Sequence, residues 1–367
     1  MNNKTLSSHL DLEGKASTEN VYLNITPSAY DDQYCFEFSR RGIAVIIIND
    51  KFQGQNRYGC DKDLQFLQEL FSKFGFEIRT FYDKTGQELL TELKHISTED
   101  HSSYDCFVLA ISTHGEEAQH DNTREDVIFT SDVRVKTRLI LELFDDENCP
   151  TLKDKPRLVF IQACRGSKLD DGVDVQCTIE PSSELSEDVP DKQLGFLSVS
   201  SSHISQPSDS LDALPYGPTK YLQPEIKTSV MQFGLKQSTH HQQPSPQISN
   251  KLSNTVTESR WKAASEQTEV CIKPVPCFKD CLVMYATPPG FFAFRRTTDG
   301  SWFIKCLAEV LLKSDGSRTL LQELTKVISK VSQDFQSKNR NEKLDAKKQS
   351  PVIYSMLTKD VYLKPKF

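Results

Sequence analysis

Short runs of β-favouring apolar residues, separated by stretches with helical periodicity, constrain the fold of this 367-residue chain more than any other feature. Ile43 to Ile48 is an unbroken apolar run, and Asp61 to Phe71 follows with apolar residues at 64, 67, 70 and 71, one face of an amphipathic helix. Phe76 to Tyr82 then reads as a strand, Gly86 to Ile96 as a helix, Tyr104 to Ile111 as a strand, Thr137 to Phe144 as a helix and Leu158 to Ile161 as a strand. After a long interruption come a strand at Leu282 to Ala286, helices at Ser301 to Leu312 and Thr319 to Phe335, and a last strand at Pro351 to Leu357. This alternation predicts an α/β fold with a largely parallel sheet covered by helices.

Two of the strands end in reactive residues. His114-Gly115 stands within three residues of Ile111, and Gln162-Ala-Cys164-Arg-Gly166 directly follows Ile161, with the chain turning at Gly166. Neighbouring strand ends in one parallel sheet can bring such side chains together, in the kind of crevice where ligands bind. A free thiol is only a few per cent ionised at neutral pH, so nucleophilic catalysis by Cys164 needs an adjacent base, and His114 can serve. Taken without its neighbours, a Cys and a His are ordinarily a buried thiol and a surface imidazole. The surrounding strings make these two worth pursuing.

Composition narrows the function. With 37% hydrophobic and 26% charged residues and a net charge of −7, the chain can bury a sizeable core and lacks the basic balance of a nucleic-acid binder. No apolar run approaches the roughly 20 residues that span a bilayer, and the N-terminus lacks an apolar secretory core. We expect a cytoplasmic protein that binds neither nucleic acid nor membrane. Its ten cysteines would then be mostly reduced thiols, and the Asn24-Ile25-Thr26 sequon unused. Cys277 and Cys281 have the wrong spacing for a zinc pair, and no further ligands flank His240-His241, so no metal is expected. No Gly-rich phosphate loop follows any strand, and no cofactor is expected.

Gln162-Ala-Cys164-Arg-Gly166 with a histidine about fifty residues upstream resembles the local signature of caspases. The resemblance covers about residues 34–176 and 278–363. It implies a caspase-like three-layer sandwich and an Asp-specific cysteine endopeptidase. Cys164 would be the nucleophile, His114 the proton donor to the leaving amine, and the backbone amides of Gly115 and Cys164 the oxyanion hole. By the same resemblance Arg57 (in Asn56-Arg57-Tyr-Gly-Cys-Asp61), Gln162 and Arg295 would bind the substrate aspartate, as charge-assisted donors suit a fixed carboxylate. Phe292, Phe294 and Leu344 match the apolar wall for the preceding residue, where a small aliphatic such as Val should fit. Trp302 matches a wall of the pocket for the fourth residue back. Lys338 and Arg340 stand there in place of frequent aromatics and Arg296 in place of a frequent asparagine, charges that should favour an acid.

The resemblance also organises the chain: a short disordered prodomain at 1–33, a large catalytic subunit at 34–176, an intersubunit linker at 177–277 and a small subunit at 278–367. Ser, Pro and Gln supply 26 of the 63 residues from Ser198 to Arg260, as in flexible linkers. Asp171-Gly-Val-Asp174, Asp188-Val-Pro-Asp191 and Asp209-Ser-Leu-Asp212 are candidate self-cleavage sites. Asp212 leads because the small Ala213 follows it. Thirty-three residues are too few for the recruitment domain of initiator caspases, and Ser355-Met-Leu-Thr-Lys-Asp-Val-Tyr362 is similar to the terminal strand of executioner caspases. The expectation is an executioner-type zymogen acting in apoptosis. Its expected partners are Asp-bearing protein substrates, an upstream initiator protease, a second copy in a dimer of large and small subunit pairs, and caspase inhibitor proteins. The competing reading is a catalytically silent relative that dimerises with an active caspase, although such proteins usually lose the Cys or the His. A relative cutting after basic residues would need acids where Arg57 and Arg295 stand.

Overall fold

A computed structural model of the chain describes residues 32–52, 55–120, 123–174, 209–211 and 278–366. Nearly all of the proposed prodomain, most of the proposed linker, Asn24, Asp191, Asp212 and His240-His241 lie outside the described residues.

β1 (Ile43–Ile48) is buried at every position, as six consecutive apolar residues require when both faces of a sheet are covered. A short antiparallel ribbon, β2 (Lys51–Phe52) with β3 (Gln55–Asn56), leads into α1 (Cys60–Lys73), which buries Cys60, Leu67, Leu70 and Phe71. Then come β4 (Glu77–Tyr82) and α2 (Gly86–Ser97). In α2 the Thr85 side chain accepts from Glu88 N–H while Glu88 reaches back to Thr85 N–H, capping the first turn reciprocally. β5 (Phe107–Ser112) is followed by a three-stranded antiparallel sheet, β6 (Gly115–His120), β7 (Thr123–Phe129) and β8 (Arg134–Lys136), and by α3 (Thr137–Glu142). β9 (Arg157–Gln162) closes the first block.

β10 (Asp209–Leu211) stands alone in sequence. The last block contains β11 (Cys281–Tyr285), β12 (Phe294–Arg296), β13 (Gly300–Ser301), α4 (Trp302–Leu311), α5 (Leu320–Asp334) and β14 (Val352–Ser355). α5 carries a second capping box, Thr319 with Gln322.

The central sheet has the order β14-β11-β9-β5-β1-β4. All its pairs are parallel except β11–β14. Strand alternation divides the core in two. Ala44, Ile46 and Ile48 pack with α1, α4 and α5 on one face, and Ile43, Val45 and Ile47 with α2 and α3 on the other. The largely parallel, helix-covered sheet expected from the apolar runs is therefore present, with element ends shifted by a few residues. Sequence periodicity gave no sign of β6 to β8 or of the small sheet β10-β12-β13.

Candidate active site

The parallel register sets the site. Ser112, the last residue of β5, lies opposite Gln162, the last of β9, so the two chains leave the sheet side by side at its carboxyl edge. Thr113 N–H donates to the Gln162 carbonyl at 3.0 Å, holding the exits together. His114 follows at once and is buried. Its carbonyl accepts from Phe129 N–H at 2.9 Å, and its ring meets Phe52 edge-on with centroids 4.8 Å apart. Gly115 is packed so tightly that a methyl group there would lie 2.7 Å from the Cys164 carbonyl oxygen and 2.9 Å from Ala163 Cβ, so this place accepts glycine alone.

Cys164 is also buried. Its Sγ accepts from Ala293 N–H at 3.1 Å, with the Ala293 carbonyl 3.7 Å away on the donor side. The last block thus holds the thiol of the first. Further backbone bonds tie the two blocks just beyond it: Arg165 N–H to Phe291 O at 3.0 Å, Gly290 N–H to Arg165 O at 2.6 Å, and Lys168 N–H to Gly290 O at 2.8 Å. Gly166 has φ 149°, and a methyl group on it would sit 2.3 Å from the Gly290 carbonyl carbon. The turn expected at Gly166 is the point where the two backbones come this close.

Arg57, Gln162 and Arg295 are linked to one corner. Arg57 Nη1 donates to Ser112 Oγ at 2.9 Å and to Cys60 Sγ at 2.9 Å, and Ser112 is the register partner of Gln162. Arg295 Nη1 donates to the carbonyl of Tyr58, next to Arg57 in sequence. All three residues are buried. Behind them stands Asp63 of α1, with no side-chain exposure and 4.0 Å from Arg57 Nη2. It accepts from Ser112 Oγ at 2.6 Å, Ser301 N–H at 2.7 Å and Ser301 Oγ at 2.5 Å. Burial pushes the Asp63 carboxyl up from its ordinary value, opposed by Arg57 and by these hydrogen bonds. Two guanidinium groups are thus buried at this corner, Arg57 with Asp63 behind it.

The outer residues gather beside this corner. Phe294 stacks on Trp302 with centroids 4.9 Å apart, and Trp302 meets Phe335 at 5.2 Å. The Arg296 guanidinium lies 5.4 Å from the Phe335 ring centre. Phe294 N–H donates to Gln349 Oε1 at 2.6 Å, and Gln349 Nε2 to Ala286 O at 2.9 Å, fixing β12 against the end of β11. Phe292 is half-buried, Leu344 lies in a short 3₁₀ turn at Glu342–Leu344, and Lys338 and Arg340 are exposed. Asp174 is exposed at the end of the first described block.

Sequence reading missed Asp63 and Ser112. It also missed the pairing of Arg165 with Asp126, at 3.0 Å and 2.6 Å, under the ring of Tyr285. An acid in the first turn of a helix reads as a complement to the helix dipole, so Asp63 carried no further signal.

A family model described as the caspase domain matches residues 41–362, which makes the protein a cysteine peptidase of the caspase type. The chain belongs to the caspase family. It is 27% identical over 352 residues to caspase-7 of Gallus gallus, covering 95% of this chain and 84% of that protein. It is 28% identical over 340 residues to caspase-3 of Xenopus laevis, covering 92% of this chain and 85% of that protein. Among solved structures, caspase-1 from Spodoptera frugiperda superposes with a TM-score of 0.62 at 24% identity, covering 92% of this chain and 96% of that one, a likeness of fold. Among the described residues no helix is long and apolar enough to cross a membrane.

Proposed function

We propose that the protein is an Asp-specific endopeptidase of the executioner type, a zymogen acting in apoptosis and activated by cutting of its linker after aspartate. The observation that carries this reading is the cationic corner formed by Arg57, Gln162 and Arg295 beside the strand ends that bear His114 and Cys164. A desolvated pair of guanidinium groups favours a small anion and disfavours a Lys or Arg side chain. In this mechanism the Cys164 sulfur attacks the carbonyl that follows the bound aspartate. His114 gives its proton to the departing amine, and the N–H groups of Gly115 and Cys164 receive the charge that develops on oxygen. Water then hydrolyses the acyl-enzyme with His114 as base. Protein substrates, an upstream initiator protease, inhibitor proteins and a cytoplasmic setting belong to the same proposal. So does pairing of two processed chains along β14, the edge strand of the central sheet.

Peptide reporters ending in Asp, Lys or Arg, incubated with the protein and with Cys164→Ala, provide the test. Turnover of the Asp reporter alone, lost in Cys164→Ala, is expected. Equal turnover by the variant, or cutting after Lys or Arg, overturns the proposal.

A further inference from the structure

The groove beside the cationic corner is occupied by a piece of the chain itself. β10 pairs antiparallel with β12 in the register Asp209↔Arg296, Ser210↔Arg295 and Leu211↔Phe294. The segment is held by its first residue. The Asp209 side chain has no exposure; its Oδ1 accepts from Trp302 Nε1 at 2.9 Å and from Arg296 Nε at 3.1 Å, and its Oδ2 accepts from Lys338 N–H at 2.7 Å. Asp209 N–H donates to Lys338 O at 3.0 Å, and Asp209 O accepts from Asn339 Nδ2 at 2.7 Å. Ser210 Oγ donates to Arg295 O at 3.1 Å, and Leu211 packs against the core. A carboxylate is driven from such a place unless donors surround it, and here a cation, an indole and a backbone amide do so. The acid reader in this pocket is thus Arg296 with Trp302 and the main chain of Lys338.

We propose that Asp209–Leu211 is an internal inhibitor that holds the substrate groove of the uncut chain, and that cutting after Asp212 does not by itself release it. The inference rests on the proposed reading of the corner of Arg57, Gln162 and Arg295 as the seat of the substrate aspartate, with the groove beside it taking the residues that precede that aspartate. A tethered segment competes at an effective concentration in the millimolar range, so an external substrate meets a groove already filled. Hydrolysis of the Asp212–Ala213 bond breaks that C–N bond, places the water oxygen on the Asp212 carbonyl carbon and returns a proton to the Ala213 amine. Asp209 to Leu211 remain covalently attached to the large fragment through residues 175–208, so the segment becomes a tethered product. A second cut upstream, after Asp174 or Asp191, converts it into a free peptide that dilution removes. Asp174 is exposed and so open to a second protease molecule. Two cuts in the linker, not one, then open the groove.

The first test uses full chains that cannot cut themselves. Cys164→Ala and Cys164→Ala/Asp209→Ala are titrated with a fluorescent Asp-Ser-Leu-Asp peptide, and the tenancy of β10 is followed by amide hydrogen exchange at Asp209. Asp209→Ala is expected to raise peptide affinity by about tenfold or more, and the Asp209 amide to be protected only in the chain that retains the carboxylate. Equal affinity, or an unprotected Asp209 amide in Cys164→Ala, overturns the proposal. The second test compares active protein carrying Asp174→Ala/Asp191→Ala, its single cut verified by mass spectrometry, with the fully processed protein. A KM roughly tenfold higher at unchanged kcat is expected for the single-cut form, and equal KM overturns the proposal. Cutting of reporters after Lys or Arg with Asp209 still protected removes the Asp-specific reading and leaves the occupancy standing. Cutting after Asp with Asp209 unprotected does the reverse.

Discussion

The two ends of the same parallel strands both bury charge, and they do so differently. At the amino end, Arg41 enters β1 and pairs with Asp105, which enters β5, at 3.0 Å. Its remaining donors reach Phe74 O at 3.0 Å and Lys364 O at 2.6 Å, while Asp105 also takes Lys366 Nζ at 2.7 Å and Phe38 N–H at 3.0 Å. Asp280, before β11, accepts from Tyr34 OH at 2.6 Å and Thr358 Oγ1 at 2.5 Å and forms an ion pair with Lys279 Nζ at 2.8 Å. Tyr34 and Phe38 precede β1 and Thr358, Lys364 and Lys366 follow β14, so these bonds clasp the flanking segments to the sheet. At the carboxyl end Arg57 lies 4.0 Å from Asp63, and the carboxylate that meets Arg296 is that of Asp209, which comes from the interval between the two blocks. Burial of charge therefore does not distinguish a working edge from a clasp. The origin of the partner does.

Substitutions at the two ends should separate activity from stability. The largest effect belongs to Cys164→Ala, expected to lower turnover of an Asp reporter by about 1,000-fold or more with the melting temperature little changed. Arg295→Lys keeps the charge but loses the planar fork, and kcat/KM for that reporter should fall by about 100-fold, again with the fold intact. If Arg295→Lys instead cost stability and spared activity, the carboxyl edge would be a clasp like the amino edge.

How much of this was legible in sequence follows from burial and from local contrast. β1, β5 and β9 were readable because apolar residues fill all or most of each strand, and His114 and Cys164 because they stand directly beyond two of those strands. β6 and β7 were not, since Glu116, Glu117, Arg124 and Glu125 give no apolar alternation. The ladders β6–β7 and β7–β8 hold them, with charge pairs from β8 such as Arg134–Glu116 at 3.1 Å and Lys136–Glu125 at 2.5 Å. Lys338 drew attention through its ammonium, yet the group that meets Asp209 is its backbone N–H, which every residue but proline owns. β10 is three residues long and polar at two of them, so its strand conformation is dictated by its partner β12 and by the bonds to Lys338 and Asn339, not by its own pattern.

At the amino end the order of effects should invert. Asp105→Ala leaves Arg41 and Lys366 facing each other without their shared carboxylate, and removing one partner of a buried ion pair costs about 3–5 kcal/mol. Chemical denaturation should register that loss, while kcat/KM per folded molecule stays at the wild-type value; a fall in kcat/KM would mean that the two edges are coupled.

The smallest effect is a pH dependence. Burial pushes the Asp280 carboxyl up, but the donors Lys279, Thr358 and Tyr34 together outweigh it and hold the group below its ordinary value of 3.8. A carboxyl lowered by folding contributes stability that is complete above its unfolded value and disappears as pH falls through the folded one. Asp280→Asn should therefore flatten the stability curve of the acid limb below about pH 4 and leave its shape near neutrality unaltered. A variant whose acid limb still matched that of the parent would show that this clasp holds by packing and neutral hydrogen bonds, with charge at the amino edge contributing only through Arg41, Asp105 and Lys366.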